Sequence, residues 1–223
     1  RREHKGEEKI RLAKPSAYVS FSNKFFANTS LKLSKKKFFK PMNKDLIKSN
    51  LHFLLTSYIS VILLTTLISL IISIFLFLFF LFFNVGSIWP IITLYEGSYL
   101  IRFLKVFWII FLIPAATFIF VYYYPSLEKK SLEDKIDQEL PFVTIHMSAI
   151  AGSMVEPSKI FQIIVKTEEY SNTEREFKKL LNEINVYGYD LVSALKSSAS
   201  NSPSKKLSEL FNSLATTITS GGN

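Results

Sequence analysis

His4, His52 and His146 are the chain's whole supply of imidazole, and they fall in a basic tail, at the edge of an apolar run and in a later amphipathic segment. None has a second ligand at metal-binding spacing, so they do not read as a metal centre, and His146 reads as a packed or hydrogen-bonded helix residue rather than a proton carrier. Glu133 and Asp137 lie one helical turn apart, but acidic residues early in a helix also complement its dipole, which is the reading we adopt. The chain has no cysteine, which removes thiolate catalysis, Cys-based metal sites and disulfides. No Gly-rich loop followed by Lys-Ser/Thr is present to cradle a phosphate. The residues therefore predict no catalytic, metal or cofactor site, and a chain that is not an enzyme.

What the sequence offers instead is unevenness. Phe53 to Phe83 is a run of 31 residues, almost all apolar, with seven Ser and Thr interspersed and nine consecutive Phe or Leu from Phe75 onward. No Lys, Arg, Asp or Glu occurs between Lys48 and Glu96. A spanning helix needs about 20 apolar residues to cross a hydrocarbon core of about 30 Å, so this run suffices with length to spare, and it is too long for a signal peptide. The absence of an ionisable group within it counts against an ion pathway. Thr66, Ser69 and Ser73 share one face suited to a neighbouring helix. After a connection marked by Gly86, Pro90, Glu96 and Gly97, a second uncharged run from Val106 to Tyr124 just spans. Pro114 sits inside it and predicts a kink that neighbouring helices must satisfy.

Charge sets the expected orientation. The first 50 residues hold 14 Lys and Arg against 4 Asp and Glu, residues 51–124 hold 2 against 1, and residues 125–223 hold 11 against 13. The basic excess thus belongs to an arm beside an anionic membrane surface and not to a nucleic-acid binder. Tyr18, Phe21 and Phe25 recur at helical spacing among Lys24, Lys32 and Lys35 to Lys37, which suits an amphipathic helix at that surface. Cations before the first run, and Lys129 and Lys130 after the second, place both flanks in the cytoplasm and the loop 84–101 outside. Arg102 and Lys105 then reach outward to headgroups.

Residues 125–223 read as helices punctuated by caps. Ile136, Leu140, Val143, Met147 and Ile150 give one apolar stripe, interrupted by Pro141 and ended by Gly152. Pro157 opens a second helix with Ile160, Phe161 and Ile164 inward. Thr173 with Glu176 reads as a capping box ahead of Phe177, Leu180, Leu181, Ile184 and Tyr187, closed by Gly188. Asp190 caps a short helix, and Ser202 and Pro203 open the last, with Leu207, Leu210, Phe211, Leu214, Ala215 and Ile218 on one face before Gly221 and Gly222. The fold class expected is all-α: a basic arm (1–50), a hairpin of two spanning helices (51–124, helices about 53–83 and 103–124), and an antiparallel helix bundle (125–223).

The order of these signals resembles a known family. Tyr124-Pro125, IDQELPFVTIHMSAIAGSMVEP from Ile136 to Pro157, Glu169-Tyr170, GYDLVSAL from Gly188, Pro203-Ser204 and TITSGGN from Thr217, preceded by FFKPMNKDLIKSN before HFLLTSYIS, are similar to the archaeal branch of the type II secretion system F family. The resemblance covers roughly residues 18–223. It implies a multi-pass, non-enzymatic cell-membrane platform of an archaellum or archaeal type IV pilus. Its partners would be a hexameric secretion ATPase, pilin-like or archaellin subunits and a second copy forming a homodimer. It implies family positions at Glu139, Pro141, His146, Gly188, Asp190, Pro203, Gly221 and Gly222. We read the prolines (with Pro125) and glycines as kinks and caps, and Glu139, His146 and Asp190 as partner contacts. Further spanning helices would follow the SGG segment, so Arg1 and the closing Gly-Gly-Asn read as cut ends of a longer chain. The competing expectation is a membrane-tethered signalling or scaffold protein with a helical cytoplasmic relay domain.

Overall fold

A computed structural model describes residues 16–51, 53–85, 92–95, 97–153 and 155–221. The readings placed on His4, His52, Gly86, Pro90, Glu96, Gly222 and the arm up to Lys14 lie outside the described residues. What is described is almost entirely helical, and two stretches are long and apolar enough to cross a membrane: Leu55–Phe82, and a second that begins at Tyr99. The one departure from an all-helical chain is a small ladder of two antiparallel strands, β1 (Phe83–Val85) and β2 (Ile92–Leu94), with Asn84 opposite Thr93.

The chain divides into two compact units. The first contains α1 (Ala17–Ser34), a single 3-10 turn (Lys37–Phe39), α3 (Leu55–Phe82), the strands, α4 (Tyr99–Val106) and the first part of α5 (Trp108–Ala151). The helix expected over residues 18–25 is thus real and extends to Ser34. It lies along α3, where the Tyr18 hydroxyl is 2.9 Å from Thr65 Oγ1 and Asn23 Nδ2 donates to Ser57 Oγ at 3.1 Å. Ser69 and Ser73 are buried as their shared face predicted.

The helix expected to stop near Tyr124 does not stop there. α5 runs 44 residues without a break through Pro114, Pro125 and Pro141. Each proline lacks an N–H and so leaves the carbonyl four residues earlier without its helical partner. One of these carbonyls is met from α3: the Tyr58 hydroxyl donates to Val121 O, opposite Pro125, at 2.8 Å, while Ser73 Oγ, whose proton goes to Leu70 O at 2.8 Å, lies 3.4 Å from Ile110 O opposite Pro114. A polar residue in the first apolar run, Tyr58, thereby completes the backbone of the second at Pro125, the arrangement that lets proline persist in apolar surroundings.

Arg102 corrects its sequence reading. Its guanidinium donates from Nε to Phe80 O and from Nη2 to Phe83 O, both at 2.6 Å, and lies 4.1 Å from the centroid of the Tyr95 ring. The last carbonyls of a helix have no intrahelical donor, and a planar two-pronged cation suits them better than a solvated headgroup contact would.

The second unit contains α2 (Lys40–Lys48), the rest of α5, α6 (Pro157–Thr167), α7 (Ser171–Asn185), α8 (Leu191–Asn201) and α9 (Lys205–Thr219). The apolar stripes of α5 to α9 meet in one core built from Ile136, Leu140, Val143, Phe161, Ile164, Phe177, Leu180, Leu195, Leu207 and Phe211. Phe177 sits 5.1 Å from Phe161 and 5.9 Å from Phe211 between ring centroids, joining α6, α7 and α9. Each such ring, fully buried, stabilises the unit by roughly 1.5–3 kcal/mol. Two expected inward residues are not inside: Tyr187 is 67% exposed and Ile218 37%. Helix α7 ends at Asn185, so Tyr187 lies beyond the last helical turn and off its apolar stripe. Ile218 is in the last turn of α9, beyond Ala215, the final residue that α9 adds to the core.

Candidate functional site

The residues singled out from sequence gather on one length of α5 and the helix starts it meets. Asp137 and Glu139 are two residues apart, so on a helix they point in different directions, and each holds the start of another helix. Glu139 accepts from Asn172 N (3.3 Å), Asn172 Nδ2 (2.7 Å), Thr173 N (2.8 Å) and Thr173 Oγ1 (2.8 Å). A carboxylate at a helix N-terminus satisfies free N–H groups and complements the dipole, so Glu139 anchors the first turn of α7.

Asp137 accepts from Ser204 Oγ at 2.5 Å and Lys206 Nζ lies 3.3 Å from its other oxygen, while Ser204 Oγ in turn accepts from Leu207 N at 3.1 Å. Asp137 therefore steadies the start of α9. Glu133 is turned to Lys130, 3.3 Å away, and that Lys also meets Asp134 at 3.0 Å. These contacts hold the Lys130 ammonium above its usual pKa, through the Asp134 bond first and the Glu133 bond second.

The capping box expected from Thr173 and Glu176 is not formed. The backbone N–H that reaches a helix carboxylate is that of Tyr170, which donates to Glu174 Oε1 at 2.9 Å. The helix starts two residues before Thr173, which is already inside and bound to Glu139. Glu176 serves elsewhere: it accepts from Asn50 Nδ2 and Lys179 Nζ, each at 2.9 Å, and Lys179 also donates to Asn50 Oδ1. Asn50 holds a left-handed backbone, φ 58°, a conformation Asn tolerates better than most residues. The cluster borders a cavity of about 290 Å³ that Glu183 and Ser198 also line. Sequence reasoning missed it because Asn50 and Glu176 are 126 residues apart.

His146, two turns after Glu139 on α5, faces the same connection before α7. Its Nδ1 lies 3.9 Å from Glu169 Oε2 and its ring is edge-on to Tyr170 at 6.2 Å. Burial, and then the Glu169 charge beside it, push the Tyr170 phenol above its usual pKa. Glu139 and His146 thus share a seam, and Asp190 is not part of it. Asp190 caps α8 as expected, accepting from Ser193 N at 3.0 Å. The bonds to Ser193 hold its carboxyl below the usual carboxylate range.

Gly188 and Gly221 adopt φ 73° and 84°, the left-handed turns that glycine permits at helix ends. Around Gly188 the side chains of Val186, Tyr187 and Tyr189 are 60, 67 and 54% exposed. Pro125 and Pro141 lie inside α5, whereas Pro203 precedes α9, whose capping residue is Ser204 rather than Ser202.

Among the described residues no three His, Asp or Glu side chains converge as metal ligands do. The carboxylates of this region bind backbone N–H groups, hydroxyls and lysines. Such an arrangement fixes the starts of helices.

No protein-family model matches the chain, and no solved structure matches it. A segment of 98 residues, 44% of the chain, is 26% identical to an uncharacterised protein of Methanocaldococcus jannaschii. The match spans 16% of that relative's length.

Proposed function

We propose that this chain is part of a non-enzymatic membrane platform for assembling an archaeal type IV pilus-like filament or archaellum, coupling a cytoplasmic secretion ATPase to pilin-like subunits. The observation that carries the reading is α5. One uninterrupted helix bears both an apolar stretch able to span a membrane and the first face of the core shared by α6 to α9. A partner acting on the helical unit would have a continuous backbone leading to the membrane segment. The resemblance of the motif series supports the family and the class of partner, and the exposed Tyr187 and Tyr189, beside Val186, offer aromatic surface of the kind enriched at interfaces.

In this reading the two apolar helices form a hairpin, the α5–α9 unit is a cytoplasmic bundle, and the 14 cations of the first 50 residues keep the basic arm and that bundle on the inner side. The test is retention of the secretion ATPase from the same cell by the full chain in mild detergent, with ADP, with a non-hydrolysable ATP analogue and without nucleotide. We expect retention in at least one state and its loss on Tyr187→Ala/Tyr189→Ala. No retention in any state contradicts the proposal.

A further inference from the structure

Helix α1 is inside out for a helix in water. The residues it buries are Val19 and two serines, with Ser22 0% and Ser30 1% exposed, while Phe21, Phe25 and Leu31 stand 53, 64 and 52% exposed. The two buried hydroxyls bond back to the α1 carbonyls of Val19 and Ala27, each at 2.9 Å, which lets two backbones approach closely as small residues do between membrane helices. Phe21 and Phe25 lie 4.7 Å apart between ring centroids, forming an outward apolar stripe of which more than half is exposed.

Where α1 gives way to the 3-10 turn, a cavity of about 380 Å³ opens against α3 and α5. Its walls are Leu33, Phe39, Ile59, Ile62, Leu63 and Phe118, and Lys36 stands at its edge. Its volume lies within the range of ligand pockets, about 300–1,000 Å³. Lys35 and Lys37 flank Lys36, all three are exposed, and none has an ion-pair partner among the described residues. An apolar recess with one exposed lysine at its edge and two more beside that lysine in the chain is complementary to a molecule with a hydrocarbon chain and an anionic head. Inorganic phosphate would leave the recess unfilled, and an uncharged lipid would leave the lysines unmatched.

We propose that α1, the 3-10 turn and α3 form a binding site for an anionic phospholipid, with a hydrocarbon chain in the Ile59–Leu63 recess and the headgroup on Lys35, Lys36 and Lys37. The proposal rests on the membrane reading of α3. It gives α1 a place within the leaflet instead of on its surface, with Phe21 and Phe25 in lipid and Lys24 extended toward the headgroups.

The test uses the full chain in phosphatidylcholine vesicles containing a minority of phosphatidylglycerol. Trace probes of either headgroup carry a photoreactive group on the acyl chain, and cross-linked peptides are read by mass spectrometry. A basic side chain near an anionic surface is worth on the order of fivefold in partitioning, so the glycerol probe should exceed the choline probe at least about fivefold on the peptide bearing Ile59 and Leu63. The exposed-site variant Lys35→Gln/Lys36→Gln/Lys37→Gln should bring that ratio near one. Leu63→Trp, which fills the recess, should remove both probes there and leave labelling of the exposed Leu67, Ile71 and Phe75 face unchanged.

Equal labelling by the two probes in the unmodified chain, or labelling at Ile59 unaffected by Leu63→Trp, overturns the site. If Leu67, Ile71 and Phe75 are not labelled at all, the membrane reading itself fails and the site fails with it. Labelling of that face without the Ile59 signal removes only the lipid site.

Discussion

The Tyr58 hydroxyl's bond to the backbone opposite Pro125 can be isolated by a double-mutant cycle. Tyr58 is 5% exposed and donates to Val121 O at 2.8 Å. Tyr58→Phe keeps the ring and removes the donor, leaving an acceptor whose helical partner Pro125 cannot supply. An unsatisfied buried acceptor costs roughly 1–3 kcal/mol, but interhelical hydrogen bonds measured in membranes average only about 0.6 kcal/mol. We therefore expect a loss of about 1 kcal/mol. Pro125→Ala restores an N–H to residue 125 and returns Val121 O to its own helix, and it also removes a residue roughly 3 kcal/mol poorer than Ala in a helix interior. In that background Tyr58→Phe should cost close to nothing. Unfolding of the four variants, full length in mild-detergent micelles titrated with SDS and followed by helical circular dichroism, reads the coupling. Independent sites add within about 0.3–0.5 kcal/mol, so equal losses in the two backgrounds would refute the assignment of Tyr58 as the stand-in donor.

Glu139→Gln should loosen the start of α7 alone: keeping one acceptor oxygen and no charge, it should lower the local opening free energy by about 1–2 kcal/mol, seen as roughly 5- to 30-fold faster hydrogen exchange over residues 171–176 with α9 unchanged. Arg102→Lys replaces two directed donors with a single ammonium and should speed exchange of the β2 amides by about fivefold, while Lys105→Ala should not. Asp190 has a folded-state pKa below its unfolded one, so its cap contributes in full above the ordinary Asp range near 3.9 and is lost as pH falls through the lower folded value. Exchange at the Ser193 amide should quicken over that acid window, and Asp190→Asn, also a good cap, should abolish the pH dependence while keeping the neutral-pH protection.

Features that depend on neighbours in the chain were legible in the sequence. The apolar run of α3, Pro157 at the first position of α6, Gly152 just after α5, Asp190 before α8 and the buried stripes of α5 to α9 are set by local spacing and capping chemistry. What escaped depends on a partner far along the chain. Thr173 looked like the opening of a capping box because Glu139, its partner, lies 34 residues earlier. Pro125 looked like a boundary because the hydroxyl that stands in for its missing N–H is on Tyr58. Arg102 looked free to reach headgroups because the carbonyls of Phe80 and Phe83 come near it only once the strands have paired. Of the expected contact residues, Glu139 and His146 could be placed on one face from their spacing of seven, but not the turn they would face.

The claim on which the rest depends is that the hairpin tip is outside and the α6–α9 helices are inside. The absence of cysteine from these 223 residues makes the measurement direct on this chain: single Thr93→Cys and Lys166→Cys variants, both at exposed positions, treated in intact cells with a membrane-impermeant maleimide. The account predicts labelling of Thr93→Cys in intact cells and of Lys166→Cys only after lysis. Labelling of Lys166→Cys from outside contradicts it.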